Sequence, residues 1–288
     1  DRFSAENANM CVFAKLWWGK SFAVKLEILR SLMMGTDVIV LDPENEYRAL
    51  VDTIGGTYLN ISLNSNERIN PFDLPRWLKD VDTHPGDLLR GAIVNMIGLL
   101  KLMLGVITPT EEAILEKALI TTYSLKGITM DDYSIEGKEI PLLKDFHSVL
   151  ETMDGARWLT ERLEKYVSWV FAGVFSQATN VDLKDGLVVF SVRDLDEILR
   201  PVAMYILLNY VWNVARSSEK KRMLVVDEAW NIMQYEDSAK FLFGLVKRAR
   251  KYGLWVTTIT QDVEDFMGSS YGKAIVTNSS IQLLLKQS

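Results

Sequence analysis

The fold is decided by residues 10–22, which read MCVFAKLWWGKSF. The apolar run at 10–14 predicts a short buried strand, because such runs are typical of strands when a turn follows. Gly-Lys-Ser comes next at 19–21, and apolar residues then recur at helical spacing, which predicts an amphipathic helix over 22–34. The stretch therefore predicts a strand, a polar turn and a helix in direct succession.

Strands and helices alternate on both sides of this stretch. Long helical patterns cover 196–216 and 237–252, and the other strand candidates are 38–41, 57–62, 187–192, 223–226, 254–260 and 280–285. Short apolar strands separated by helices are typical of a mostly parallel sheet with helices on both faces. The sequence therefore predicts an α/β fold with a mostly parallel central sheet.

A mostly helical block interrupts this alternation. Its clearest helix start is Thr-Pro-Thr-Glu at 108–111, where the threonine predicts an N-cap, the proline the first helical position and the glutamate a capping box. We therefore expect a discontinuous sheet domain made of residues 1–73 and 184–288. Residues 74–183 are expected to form an inserted, mostly helical subdomain.

Composition excludes several classes of protein. Of the 288 residues, 48% are hydrophobic and 24% are charged, which is close to average globular usage and argues against disorder and coiled coil. The net charge of −6 weakens a role in passive binding to nucleic-acid backbones. One cysteine and two histidines rule out an internal disulfide and nearly exclude a Cys/His zinc site, and they favour a reduced, cytosolic setting. Any catalysis therefore falls to carboxylates, a cation or a metal ion.

Polar residues follow three of the predicted strands, at the carboxyl ends where doubly wound sheets bind ligands. Gly19-Lys20-Ser21 matches the end of a P-loop, in which backbone N–H groups hold phosphates, the lysine reaches their oxygens and the hydroxyl binds magnesium. Asp227 ends another strand, where an aspartate can hold the magnesium shell and Glu228 can polarise an attacking water. The alternative is that both acids only cap the next helix.

Other polar residues have both a functional and a plain structural interpretation. Gln261 follows a third strand and either senses a γ-phosphate or lies in a solvated loop. Arg248 and Arg250 belong to a basic run that suits a solvated helix end, although one of them can act as an arginine finger in a ring-forming motor. Asp42, Glu44 and Glu46 follow a strand end, where Glu44 or Glu46 either helps to organise magnesium or water or only pairs with a basic neighbour. We expect Asp42 and Glu44 to lie near the site.

Six short strings carry a family resemblance. They are Gly19-Lys20-Ser21-Phe22, Asp42-Pro43-Glu44-Asn45-Glu46-Tyr47, Asn70-Pro71-Phe72, Asp227-Glu228-Ala229-Trp230, Thr260-Gln261 and Asn278-Ser279. The sequence resembles the large ATPases of type IV secretion and bacterial conjugation, the VirB/TrbE/TraC class, which are relatives of the HerA and FtsK translocases. The resemblance spans nearly the whole chain. It implies the C-terminal RecA-like motor domain of a longer protein, and a start at Asp1 rather than Met fits such a fragment.

The resemblance implies a P-loop ATPase that uses ATP and Mg²⁺. The site predicted from it and from the motifs comprises Gly19, Lys20, Ser21, Phe22, Asp42 and Glu44 for nucleotide, Ser21 and Asp227 for magnesium, and Glu228, Gln261, Arg248 and Arg250 for catalysis. The resemblance further implies a homo-oligomer, as a hexamer, at the cytoplasmic face of the bacterial inner membrane. The expected partners of the chain are other type IV secretion components, including the coupling protein. Direct contact of the chain with DNA is a further possibility that the resemblance leaves open. Membrane association is expected through these partners or through a missing N-terminal region.

Two other functions stay open from the sequence. One is a DNA-translocating coupling-protein or HerA-type ATPase, against which the acidic total argues mildly. The other is an assembly scaffold without hydrolysis, which is favoured by the loop before Lys20, where Ala14 and Trp17 stand at positions that are glycine in the family. Either this loop is degenerate or its residues are altered or misassigned. We favour the second explanation, because the other residues of the predicted site are all present.

Overall fold

A computed structural model of the chain describes residues 8–14, 19–75, 84–168, 171–183 and 186–285. The chain divides into two compact units. The sheet unit comprises Asp1–Ile61, Asp182–Met204 and Ser218–Ser288, and the helical unit comprises Ser62–Val181 and Tyr205–Ser217. These units are defined by compactness alone, so the division of the chain at 74–183 into motor and insertion stays a prediction.

The sheet unit is built on seven strands. They are β1 (Met10–Phe13), β2 (Asp37–Asp42), β3 (Thr57–Asn60), β4 (Leu187–Ser191), β5 (Arg222–Val226), β6 (Leu254–Thr260) and β7 (Ile281–Leu284). Their order in the sheet is β3-β4-β2-β5-β6-β1-β7, and each of these neighbours pairs in parallel. The prediction of an α/β fold with a parallel central sheet is therefore confirmed.

The central strands are apolar because both of their faces are covered. Val40 of β2 lies in register with Val189 of β4 on one side and Val225 of β5 on the other, and all three side chains are fully buried. Fully burying a valine contributes about 1.5–3 kcal/mol. Strands buried on two faces show continuous apolar runs instead of alternation, which is why the sequence reveals them.

Helices and a 3₁₀ turn connect these strands. They are α1 (Lys20–Met33), α2 (Arg48–Ile54), α8 (Arg200–Arg216, shared between the units), α9 (Trp230–Met233), α10 (Glu236–Arg248), the 3₁₀ turn Ala249–Tyr252, α11 (Val263–Gly268) and α12 (Ser270–Thr277). The sequence predicts α1, α8 and α10 but not α2, α9, α11 or α12. These four have eight residues or fewer, which is too short for a periodic pattern to stand out.

Helix α1 packs with a different face from the one that its apolar pattern suggests. Phe22, Leu26, Leu29 and Met33 recur at helical spacing, yet Phe22 is 73% and Met33 86% exposed. The buried positions are Lys20, Val24, Ile28 and Ser31. Because α1 begins at the edge of the sheet with Lys20 turned inward, the residues one, two and three turns further on face the sheet with it.

The helical unit contains α3 (Asp87–Leu104), α4 (Pro109–Leu125), α5 (Leu143–Glu151), α6 (Arg157–Val167) and α7 (Ala172–Phe175). The capping box predicted for α4 is present: Thr108 Oγ1 accepts from the Glu111 N–H at 3.3 Å, and Glu111 Oε2 accepts from the Thr108 N–H at 2.7 Å. Within the described ranges, no helix is long and apolar enough to cross a membrane.

The Asn-Pro-Phe string lies in the helical unit and stabilises its interior. The buried Asn70 donates from Nδ2 to the Pro141 carbonyl at 2.9 Å, and its Oδ1 accepts from the Phe72 N–H at 3.1 Å. The Phe72 carbonyl in turn accepts from the buried hydroxyl of Tyr123 at 2.9 Å. Since every one of these partners is internal to the unit, the contacts of this string are structural.

Candidate functional site

Four strands that are neighbours in the sheet, β2, β5, β6 and β1, present polar residues where they end. Lys20 lies on α1 after β1, Asp42 ends β2, Asp227 follows β5 and Gln261 follows β6. Because the strands are parallel, these four ends lie along one edge of the sheet, which is where α/β sheets bind ligands.

Lys20 is the buried cation of this edge. It is the first residue of α1, directly after Gly19, whose φ of 78° is a conformation that glycine adopts without strain. The side chain is 6% exposed, and Nζ lies 3.1 Å from Asp227 Oδ1 and 2.5 Å from Glu228 Oε1. Burial by itself lowers the pKa of Lys20, but the carboxylates of Asp227 and Glu228 outweigh it, and the pKa is raised above its ordinary value. Lys20 is therefore charged and paired with both acids.

Asp227 is the more deeply buried of the two acids. Burial raises its pKa to about 6, and the attraction of Lys20 opposes that rise. Oδ1 accepts from Lys20, and Oδ2 accepts from the hydroxyl of Tyr47 at 3.1 Å. Both oxygens are thus directed by donors that come from other parts of the chain.

Glu228 has an unusual backbone. Its φ of 46° lies in the left-handed region, which costs a non-glycine residue about 1–2 kcal/mol. Oε1 accepts from Lys20 and from Gln261 Nε2, and Oε2 accepts from the indole N–H of Trp230 at 2.8 Å. Strained residues of this kind concentrate at functional sites, where the surrounding structure holds them in place.

The loop after β2 carries a third acid to the site. The fully buried Asp42 accepts from the backbone N–H groups of Glu46 and Tyr47, both at 3.0 Å, and burial raises the pKa of its carboxyl. Glu46 accepts a hydrogen bond from the hydroxyl of Ser21. Glu44, which the sequence predicted near the site, is exposed. The acid of this loop that contacts Ser21 is Glu46.

The predicted site residues on helix surfaces are Phe22, Arg248 and Arg250. Phe22 is exposed on α1. Arg248 and Arg250 are exposed near the end of α10, where Arg248 Nε donates to the Gly244 carbonyl at 2.9 Å. Of the unusual loop, Ala14 is buried and donates its N–H to the Thr260 carbonyl at 3.3 Å. Residues 15–18, which include Trp17 and Trp18, lie outside the described residues.

The chemistry of this site fits a nucleotide phosphate and magnesium. A lysine at the start of a helix suits phosphate oxygens, because helix N-termini favour anions. The Ser21 hydroxyl and the Asp227 carboxylate are oxygen ligands of the type that Mg²⁺ prefers. Among the described residues, no group of three or more His, Cys, Asp or Glu could hold a metal ion. Fold and site together define a RecA-like P-loop protein.

Three residues of the site were not among the predicted site residues. Tyr47 and Trp230 hydrogen-bond to the acidic pair, and Glu46 contacts Ser21. All three lie inside strings that carry the family resemblance, so their position in those strings was the available signal. The strings do not show which group each side chain contacts. Tyr47 and Asp227, for example, are 180 positions apart in the sequence, yet their side chains are hydrogen-bonded.

Comparison with known proteins identifies the family. Residues 160–288 match the family model of the TraG P-loop domain. The chain is 25% identical to protein TraC of Escherichia coli (strain K12) over 303 aligned positions, which cover 98% of this chain and 32% of TraC. It is 30% identical to the structure of VirB4 of Thermoanaerobacter pseudethanolicus, with a TM-score of 0.86 over 98% of this chain and 78% of that one. The chain therefore belongs to the VirB4/TraC class of type IV secretion and conjugative ATPases.

A more distant likeness concerns the fold alone. The conjugative coupling protein TrwB, in an unbound form, is 11% identical and has a TM-score of 0.61 over 94% of this chain and 67% of that one. The chain spans about a third of the length of TraC.

Proposed function

We propose that this chain is the ATP-hydrolysing motor domain of a type IV secretion or conjugation system. The observation that carries the proposal is the convergence of Lys20, Asp227, Glu228 and Gln261 at one edge of the sheet, although they come from three separate strand ends. A buried cation with two acids and an amide is the set of groups that phosphoryl transfer to water needs.

Lys20 has two competing sets of partners in this proposal. In the present structure its charge is matched by Asp227 and Glu228. Phosphate oxygens offer the same cation another anionic partner, so nucleotide binding separates Lys20 from Glu228 and leaves that carboxylate available to water. The pairing of Lys20 with the acids is then the resting state of the site.

Ser21 and Asp227 are the residues that would hold magnesium, whose role is to neutralise charge on the phosphates. The Ser21 hydroxyl donates its proton to Glu46 in this structure, and the lone pairs of its oxygen stay available for the metal ion. Glu228 acts as the general base for water, and Gln261, already hydrogen-bonded to it, orients the same water. Related structures support the choice of ligands, because TrwB was solved in complex with ADP and Mg²⁺.

The remaining roles in the proposal concern assembly. The exposed Arg248 and Arg250 are candidates for an arginine finger that reaches the site of a neighbouring subunit in a hexamer. The proposed location is the cytoplasmic face of the bacterial inner membrane, and the proposed partners are other secretion components, including the coupling protein. Family membership supports this setting, and hydrolysis supplies the energy for assembly or substrate transport.

Phosphate release from ATP tests the proposal. We expect turnover by the parent chain, and we expect Glu228→Gln to lower kcat by at least about 100-fold, the range for loss of a general base. ATP binding by Glu228→Gln should stay close to that of the parent. The exposed Glu116→Gln on α4 is the matched control and should retain full turnover. A parent that releases no more phosphate than Glu228→Gln contradicts the proposal.

A further inference from the structure

The two acids of the site are held in the same way. Each has one oxygen directed at Lys20. That oxygen is Oδ1 of Asp227, which also accepts from the Glu228 N–H at 2.9 Å, and Oε1 of Glu228, which also accepts from Gln261 Nε2. The second oxygen of each accepts from an aromatic donor: Asp227 Oδ2 from the Tyr47 hydroxyl at 3.1 Å, and Glu228 Oε2 from the Trp230 indole N–H at 2.8 Å. A carboxylate fixed at one oxygen has little freedom to rotate, so the aromatic donors determine where the other oxygen lies.

Tyr47 is itself held firmly. Its side chain is fully buried, and its backbone N–H donates to Asp42 Oδ2 at 3.0 Å. The hydroxyl donates to Asp227 Oδ2 at 3.1 Å. Because Asp42 fixes the backbone and the core fixes the ring, the Tyr47 hydroxyl can aim at little other than Asp227.

Trp230 plays the corresponding part for Glu228 from a different element. It is the first residue of α9 and lies only two positions beyond Glu228. An indole N–H can only donate, so this contact needs an acceptor, which Glu228 Oε2 supplies. The strained backbone of Glu228 and the start of α9 direct the acid and the indole toward each other.

We propose that Tyr47 and Trp230 are positioning residues, with distinct effects because they hold different acids. Tyr47 orients Asp227 so that Oδ1 faces the place of magnesium and the phosphates. Trp230 orients Glu228 so that Oε1 faces the place of the attacking water. The inference rests on the proposed function for its chemistry, and on the hydrogen bonds of the acidic pair to Lys20, Tyr47 and Trp230 for its geometry.

Tyr47→Phe tests the first half through magnesium. The variant keeps the ring and loses only the hydroxyl. We expect the tightening of ADP binding by Mg²⁺, measured by calorimetry with and without the metal, to fall about tenfold, as for one lost hydrogen bond to a charged group. Tyr123→Phe is the matched control, since it removes an equally buried hydroxyl bonded to a carbonyl in the helical unit. It should leave the effect of Mg²⁺ unchanged.

Trp230→Phe tests the second half through the catalytic step. We expect kcat for ATP to fall about 10- to 100-fold, while the dissociation constant of Mg·ADP stays within about twofold of the parent. Trp230→His, which restores a ring N–H donor, should recover part of kcat. Trp158→Phe, at an exposed position in the helical unit, is the control and should match the parent.

Each result decides the proposal. It is overturned if Tyr47→Phe responds to Mg²⁺ like Tyr123→Phe, or if Trp230→Phe weakens nucleotide binding as much as it lowers kcat, because a merely structural role acts on both. Should Tyr47→Phe not fold, the Trp230 series still decides whether aromatic donors position the acids. A parent that binds Mg·ADP without turnover contradicts the hydrolysis proposal only, and the Mg²⁺ measurement on Tyr47→Phe then judges the positioning role alone.

Discussion

Replacing Lys20 by methionine should destabilise the folded protein substantially even when no nucleotide is bound. Lys20 is 5% exposed and is the cation that lies against the buried carboxylates of Asp227 and Glu228. Removing one partner of a buried ion pair costs about 3–5 kcal/mol, because the remaining charge is left in a poorly solvated place. Taking about 3 kcal/mol and about 2–4 °C per kcal/mol for a chain of this size, we expect the melting temperature to fall by about 6–12 °C.

The assay is urea and thermal unfolding followed by circular dichroism, in EDTA at pH 8. The exposed Lys117→Met on α4 is the control and should unfold like the parent. In the double variant Lys20→Met with Asp227→Asn, one of the two stranded charges is gone. The two substitutions should therefore cost at least about 1 kcal/mol less together than the sum of their separate costs. A Lys20→Met variant as stable as the parent, or strictly additive costs, refutes this account of the resting site.

Three further predictions concern the structure outside the site. Burial raises the pKa of the Asp73 carboxyl to about 6, above an unfolded value of about 3.9. Folding therefore favours the protonated carboxyl, so the stability that Asp73 contributes is fully present below about pH 4 and is lost as the pH rises through about 6. A rise of about 2 pKa units corresponds to about 3 kcal/mol, so Asp73→Asn should gain up to about 3 kcal/mol relative to the parent at pH 8, and about half of that at pH 5, in urea titrations. Thr108→Ala should lose about 1 kcal/mol by removing the N-cap of α4, and unchanged unfolding would argue against the capping box. Gly272→Ala places a Cβ 1.8 Å from the Phe266 carbonyl and should lose about 1–3 kcal/mol, whereas Gly268→Ala, which meets no described atom within 4 Å, should stay within about 0.5 kcal/mol.

The central strands were predictable because strands buried on both faces consist mainly of apolar residues. A strand covered on both faces favours a continuous apolar run, and residues 187–190, which read LVVF, form such a run without any knowledge of their neighbours. Helix α1 was harder, since Phe22 and Met33 suggest one packed face while Val24 and Ile28 form the real one. What decides the face is the inward direction of Lys20, a tertiary constraint that a local pattern does not contain.

The site divides in a similar way. Polar residues at parallel strand ends must lie along one edge of the sheet, so the proximity of Lys20, Asp227 and Gln261 follows from topology once the strands are known. The partners of the acids do not follow from topology. Tyr47 reaches Asp227 only because the loop after β2 is turned by the buried Asp42, and that turn is a property of side-chain hydrogen bonds. The roles of all these residues stay predictions until the variants are measured.

Calorimetric titration of ATP tests the central claim most directly, namely that Lys20 leaves Glu228 to bind the phosphates of the nucleotide. The account predicts that the parent chain binds ATP and that Lys20→Ala binds it at least about tenfold more weakly, as expected for loss of a charged hydrogen-bond donor. Equal affinity of the two proteins for ATP, or no binding by a correctly folded parent, would contradict it.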